Sequence, residues 1–166
     1  PMAASVLVTD DEAFAHAVDR ELAVQLPVLA SEETARASLA NWGTAFVVDD
    51  VEAVLELVES YAPEHLQLIG PRAEALAERA ANAGAIFLGA ATPEVFGDYV
   101  AGPSHVLPTG GSARFASALG VEDFVRRSHA VRFTPEAAAR RAEAAARLAD
   151  AEGLPAHAAA ARRRLR

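Results

Sequence analysis

The chain has 166 residues, 52% of them hydrophobic and 23% charged, which suits one folded core with an appendage and excludes a disordered polar chain. Cysteine and lysine are both absent, so disulfides, thiolate metal ligands and Schiff-base lysines are ruled out, and any metal must use His, Asp, Glu or amide oxygen. The net charge of −8 divides unevenly: residues 1–125 hold 5 Arg and 19 acidic residues (−14), residues 126–166 hold 10 Arg and 4 acidic residues (+6). A basic end can bind nucleic acid, but this one has helical apolar spacing and almost no aromatics for base stacking, so docking on an acidic protein surface is favoured. The sequence shows no signal peptide and no apolar run of about eighteen residues, so no membrane partner and a cytoplasmic location are expected.

In chain order, SVLVT (5–9) reads as a buried strand, followed by Asp10-Asp11 as a helix start. PVL (27–29) reads as a short strand, and a helix follows from about Glu32 to Ala40. AFVVDDVEAVLELV (45–58) repeats the strand, two-aspartate, helix pattern, with Val51, Val54, Leu55 and Val58 forming one apolar stripe. Two strand-then-helix units favour parallel pairing. Pro63 fits the first position of a further helix, PRAEALAERAANAG (71–84) reads as another, and AIFL (85–88) as a strand. The glycine- and proline-rich stretch 89–115 reads as a long ordered loop of the kind that carries ligands at strand ends. A short helix near VEDFVRR, a strand at HAVRF (129–133), a helix opened by Thr134-Pro135 and closed near Gly153, and a last helix from Pro155 complete the chain. The expected fold is α/β: an incomplete Rossmann-like parallel-sheet domain over 1–125, then a helical C-terminal tail over 126–166.

Several residues could carry chemistry. Glu64 and His65 fall in the expected first turn after Pro63, where the helix dipole favours a charged glutamate and opposes protonation of the histidine. Service to that dipole, with His65 packed beside Tyr61, is the competing reading. Asp98 follows Gly97, read as a sharp turn that presents the carboxylate, with Glu94 four residues earlier. His105 lies in the same loop; Asp98 and His105 either share a metal or polar substrate, or cap a turn and face solvent. Gly110-Gly111 is a weak anion cradle, lacking a Walker lysine or a Rossmann glycine pattern. His157, five residues after Glu152, is a ligand or contact candidate or an ordinary surface histidine. His16 reads as a helix-side residue, His129 as a junction residue, and both aspartate pairs as helix caps.

APEHL (62–66), AIFLG (85–89), TPEVFGDYVAGPSHVLPTGGSARF (92–115) and EGLPAH (152–157) together resemble histidinol dehydrogenase. The likeness runs along essentially the whole chain, and the GDY-to-LPTGG segment is its most specific part. It implies a homodimeric, zinc- and NAD-dependent enzyme that oxidises L-histidinol through L-histidinaldehyde to L-histidine in histidine biosynthesis, using two NAD. Carried over by motif, Glu64 activates water and His65 is the general base of the hydride transfers. Asp98 and His157 are zinc ligands; His105, Glu152 and Glu94 are substrate contacts, with Glu94 also near the cofactor. The tail residues would enter the partner subunit's site. Members of the family are much longer, and their glutamine and histidine zinc ligands lie before the point matching Pro1. The resemblance therefore implies the C-terminal part of such an enzyme, inactive without the N-terminal region. A non-catalytic binding or dimerisation module that keeps the fold is the alternative.

Overall fold

Aspartates decide where two of the helices begin. In the computed structural model, which describes residues 2–165, strand β1 (Val6–Thr9) leads to Asp11, whose carboxylate accepts from Ala13 N at 2.8 Å and Phe14 N at 3.1 Å and opens α1 (Glu12–Gln25). Strand β2 (Thr44–Val47) leads in the same way to Asp50, which accepts from Ala53 N at 2.8 Å and opens α3 (Val51–Tyr61). Each carboxylate satisfies amides that the first helical turn leaves free. Helix α2 (Glu32–Trp42) lies between these units.

β1 and β2 pair in parallel, Val6 opposite Thr44 and Thr9 opposite Val47. β3 (His65–Leu68) and β4 (Ala85–Leu88) form a second parallel pair, His65 opposite Ala85 and Leu68 opposite Leu88. The parallel α/β expectation holds, realised as two separate two-stranded pairs. The apolar stripe of α3 ends in buried Val58, and Leu68, Leu76, Ala80 and Phe87 are buried around β3 and β4. Helix α5 (Glu94–Tyr99) packs on β4.

The described residues divide between Phe124 and Val125 into two compact units. The second is a helical hairpin. Thr134 accepts from Ala137 N at 3.2 Å and Pro135 takes the first position of α6 (Pro135–Ala151). Gly153, at φ 72°, turns the chain into α7 (Pro155–Arg162). Ala142, Ala146 and Ala158 are buried, so alanine supplies the close helix approach that larger side chains would prevent. Arg162 adds a 2.6 Å hydrogen bond to Asp150 across the hairpin.

Local expectations fail where a competing contact wins. PVL is a 3-10 turn (Leu26–Val28), closed by Leu29 N donating to Leu26 O at 3.1 Å. The helix expected over 71–84 is regular only at α4 (Pro71–Glu74) and continues as tightened turns. There Glu59 accepts from Ala81 N at 2.7 Å and Asn82 N at 3.2 Å, and draws the chain off the helical path. VEDFVRR forms only a 3-10 turn at Val121–Phe124. HAVRF is irregular and exposed, because a lone segment has no ladder to join. Among the described residues, no helix is long and apolar enough to cross a membrane.

Arg79 holds Glu52 through two hydrogen bonds, 2.9 and 2.6 Å, tying the turns after α4 to α3. The Arg79 hydrogen bond lowers the Glu52 carboxyl below its usual range. A depressed folded value stabilises above the unfolded pKa and is lost as pH falls through the folded one. The urea midpoint of the chain should therefore exceed that of Glu52→Gln near neutrality, and the gap should close once the carboxylate is protonated. A gap independent of pH would contradict this pairing.

Candidate functional site

The segment APEHL is built by ending a helix. Ala62 is the left-handed cap of α3 (φ 51°), 1% exposed, and donates its N–H to Val58 O at 2.8 Å. Pro63 then removes the next amide donor and prevents continuation. Glu64 thus lies in a bend and His65 is the first residue of β3, and neither is in a helix first turn. The sequence offered Pro63 as a starter, and its equal power as a terminator prevailed. The argument from a helix dipole lapses for both residues.

His65 is joined instead to α5. Its Nε2 lies 3.5 Å from Glu94 Oε1 and 3.5 Å from Asp98 Oδ1. The two carboxylates are four residues apart on one helix, hence on one face. Gly97 is inside α5 and makes no sharp turn. A Cβ there would sit 2.6 Å from Cε1 and Cζ of Phe87, so the missing side chain lets α5 lie against that ring. Phe87 in turn meets the His65 ring at 5.9 Å between centroids, tilted by 33°. One aromatic residue of β4 therefore sets both the histidine and the helix that carries its acidic neighbours.

Among the described residues, His65 Nε2 is buried without a hydrogen-bond partner. At 3.5 Å both carboxylates are at ion-pair range but short of a well-formed hydrogen bond. His65, Glu94 and Asp98 offer one ligand atom each, all within 4.8 Å of one another. Zinc with bonds of about 2.1 Å in tetrahedral geometry sets its ligand atoms roughly 3.4 Å apart, close to the two His65 separations. The donor chemistry and the unpartnered nitrogen both fit a divalent cation. Residue-by-residue reading paired Asp98 with His105, and only the family resemblance put His65, Glu94 and Asp98 at one site. The local signal for the grouping was the four-residue spacing of Glu94 and Asp98, obscured by taking Gly97 for a turn.

The other candidates sit elsewhere. His105 is exposed in the irregular stretch between α5 and the glycine pair, and is outside the grouping. Pro108, three residues on, is buried; a Cβ on Gly84 would fall 3.2 Å from its Cδ and 2.5 Å from Glu64 O, so Gly84 lets this stretch close on the Glu64 peptide. Arg114 donates to Gly111 O at 2.9 Å and also to Ser60 O at the end of α3, so its guanidinium is committed to backbone. Glu152 and His157 belong to the second unit, both exposed. His16 lies on the side of α1, 3.9 Å from Glu12, as a helix-side residue should.

The family model for histidinol dehydrogenase matches residues 1–165. The chain belongs to the histidinol dehydrogenase family. A histidinol dehydrogenase of Parasynechococcus marenigrum is 46% identical over 165 residues, covering 99% of this chain and 38% of its own length. One from Mesorhizobium japonicum is 49% identical over 155 residues, covering 93% and 36%. The crystal structure of histidinol dehydrogenase from Elizabethkingia anophelis superposes with a TM-score of 0.86 at 31% identity, over 96% of this chain and 37% of that one. The chain spans little more than a third of the length of these family members.

Gly97→Ala tests the packing that builds the site. Alanine in an exposed helix interior would gain roughly 1 kcal/mol over glycine, whereas overpacking against Phe87 should cost about 1–3 kcal/mol. A lowered urea midpoint with an unchanged slope is expected; a raised one would contradict the contact.

Proposed function

We propose that this chain supplies the base-bearing part of a histidinol dehydrogenase, which oxidises L-histidinol through L-histidinaldehyde to L-histidine. Family membership motivates the substrate. The approach of His65 to Glu94 and Asp98 is the observation that carries the chemistry. Because the chain covers only 38% of the Parasynechococcus relative, turnover is assigned to an assembly with the rest of the family's chain.

In this reading Asp98 helps to hold zinc, Glu94 and His105 bind the substrate, and Glu152 and His157 serve the site of a partner subunit, His157 as a zinc ligand and Glu152 as a substrate contact. Zinc would supply a fixed site for the amino alcohol and polarise its oxygen. His65 takes the hydroxyl proton as hydride leaves carbon, in each oxidation. Glu64 takes a proton from water as it adds to the retained aldehyde. Two adjacent proton acceptors, one in the bend before β3 and one at its first position, thus serve two different protons, one from water and one from the alcohol or hydrate. A specific alternative is that His65, Glu94 and Asp98 themselves form the cation site, which their 3.5 Å separations favour.

NAD does not fit the two strand-to-helix turns at Asp10-Asp11 and Asp49-Asp50. A dinucleotide needs a glycine-rich turn and free helix amides for its pyrophosphate. Here Asp11 and Asp50 occupy those amides and add negative charge. NAD binding through Glu94, on α5, remains compatible with these occupied turns.

Co-expression of the chain with the unmatched residues of the Parasynechococcus relative should yield L-histidinol-dependent NAD reduction. In that assembly His65→Asn should lower kcat for both L-histidinol and L-histidinaldehyde by about 10²–10⁴-fold, the usual worth of a general base. Glu64→Gln should depress the aldehyde step selectively. A stable, zinc-loaded assembly without turnover would overturn the functional assignment. In the same assembly, Asp98→Asn should reduce zinc retained after dialysis, measured by atomic absorption, at least tenfold. Retention that falls with His65→Asn as well would favour the alternative cation site.

A further inference from the structure

One face of the β1–β2 pair is open. Val6, Thr44 and Phe46 line it at alternating strand positions, and with Ala4, Asn41, Trp42, Leu57, Ser60 and Tyr61 they border a groove of about 400 Å³. Its large side chains are solvent-facing: Trp42 is 52% exposed, Tyr61 48% and Phe46 39%. All four residues of β2 are exposed. Parallel strands are ordinarily covered on both faces, because the crossover connections place helices there. A pair of four-residue strands is also too small to stand as a sheet on its own. The groove therefore has the form of a sheet face that lacks its second layer.

We propose that this groove is the docking surface for a helix from the part of the histidinol dehydrogenase chain that this sequence does not span. The inference deepens the proposed function and rests on its premise of an assembly with that remaining part. Length supports the occupant: the chain accounts for 38% of the Parasynechococcus relative while matching 99% of itself. Chemistry supports it too. The aromatic and aliphatic groups lining the groove call for an apolar helical stripe, and Asn41, Thr44 and Ser60 offer polar partners beside them. Trp42 and Tyr61 are the residue types that dominate such contacts.

Trp42 is the only tryptophan of the chain and reports on the groove directly. The chain labelled with 5-fluorotryptophan, combined with the unlabelled remainder of the Parasynechococcus relative, should form a complex in which the single ¹⁹F resonance shifts and loses its sensitivity to solvent isotope. Phe46→Asp should weaken that complex at least tenfold, while Val24→Asp, on the exposed side of α1, should leave it unchanged. The resonance of the otherwise unaltered chain reads occupancy even if Phe46→Asp fails to fold. No complex, a complex with an unmoved Trp42 signal, or a concentration-dependent shift of the chain alone would overturn the proposal, the last by assigning the groove to a second copy. None of these readouts needs catalysis, so loss of NAD reduction with Trp42 covered would fault the proposed reaction and leave the docking surface intact.

Discussion

The contact between the Phe87 ring and the backbone of Gly97 is the constraint on which the site depends. A ring on β4 can approach helix α5 this closely only where the helix has no Cβ. Once α5 lies there, Glu94 and Asp98 follow by helical spacing, and His65 follows because its ring packs on the same phenylalanine. One steric vacancy thus brings two acids and a base together on separate elements. Among the described residues no hydrogen bond holds His65 Nε2. Packing does that work, and leaves the nitrogen facing the carboxylates.

This arrangement explains how a thinly cored chain can hold an ordered site. Within the first unit most buried residues lie at the end of α3 and around β3 and β4, where the site is, while the β1–β2 pair keeps an open face. Around the cluster, backbone groups are tied by side chains from distant positions. Glu59 receives the amides of Ala81 and Asn82, Arg79 grips Glu52, and Arg114 caps the last turn of α3. Such ties hold turns that regular secondary structure does not. Gly84, lacking a Cβ, lets the Pro108 stretch lie close to the Glu64 peptide.

Much of this was legible in the sequence where the signal was local. The aspartate pairs before apolar periodic runs gave α1 and α3 their starts, Thr134-Pro135 opened α6, and Gly153 closed it. AIFL was a strand by composition. The readings that failed turned on residues with two opposite uses. Pro63 can start a helix or end one, and only the left-handed Ala62 cap decides between them. Gly97 can make a turn or admit a neighbour's ring, and only the position of Phe87 decides. The 71–84 segment had good helical spacing, but the Glu59 carboxylate that diverts it comes from a helix more than twenty residues earlier. The residues carrying the family likeness were readable as a string. Their mutual geometry was not, because it depends on that one aromatic contact.

An anomalous difference map at the zinc edge, from crystals of the assembled enzyme with L-histidinol, tests the central claim most directly. The account predicts a peak about 2.0–2.2 Å from an Asp98 oxygen, with the His65 ring within hydrogen-bond reach of the substrate hydroxyl and Phe87 still against Gly97. A zinc peak remote from Asp98, or α5 displaced so that His65 no longer faces its carboxylates, would contradict it.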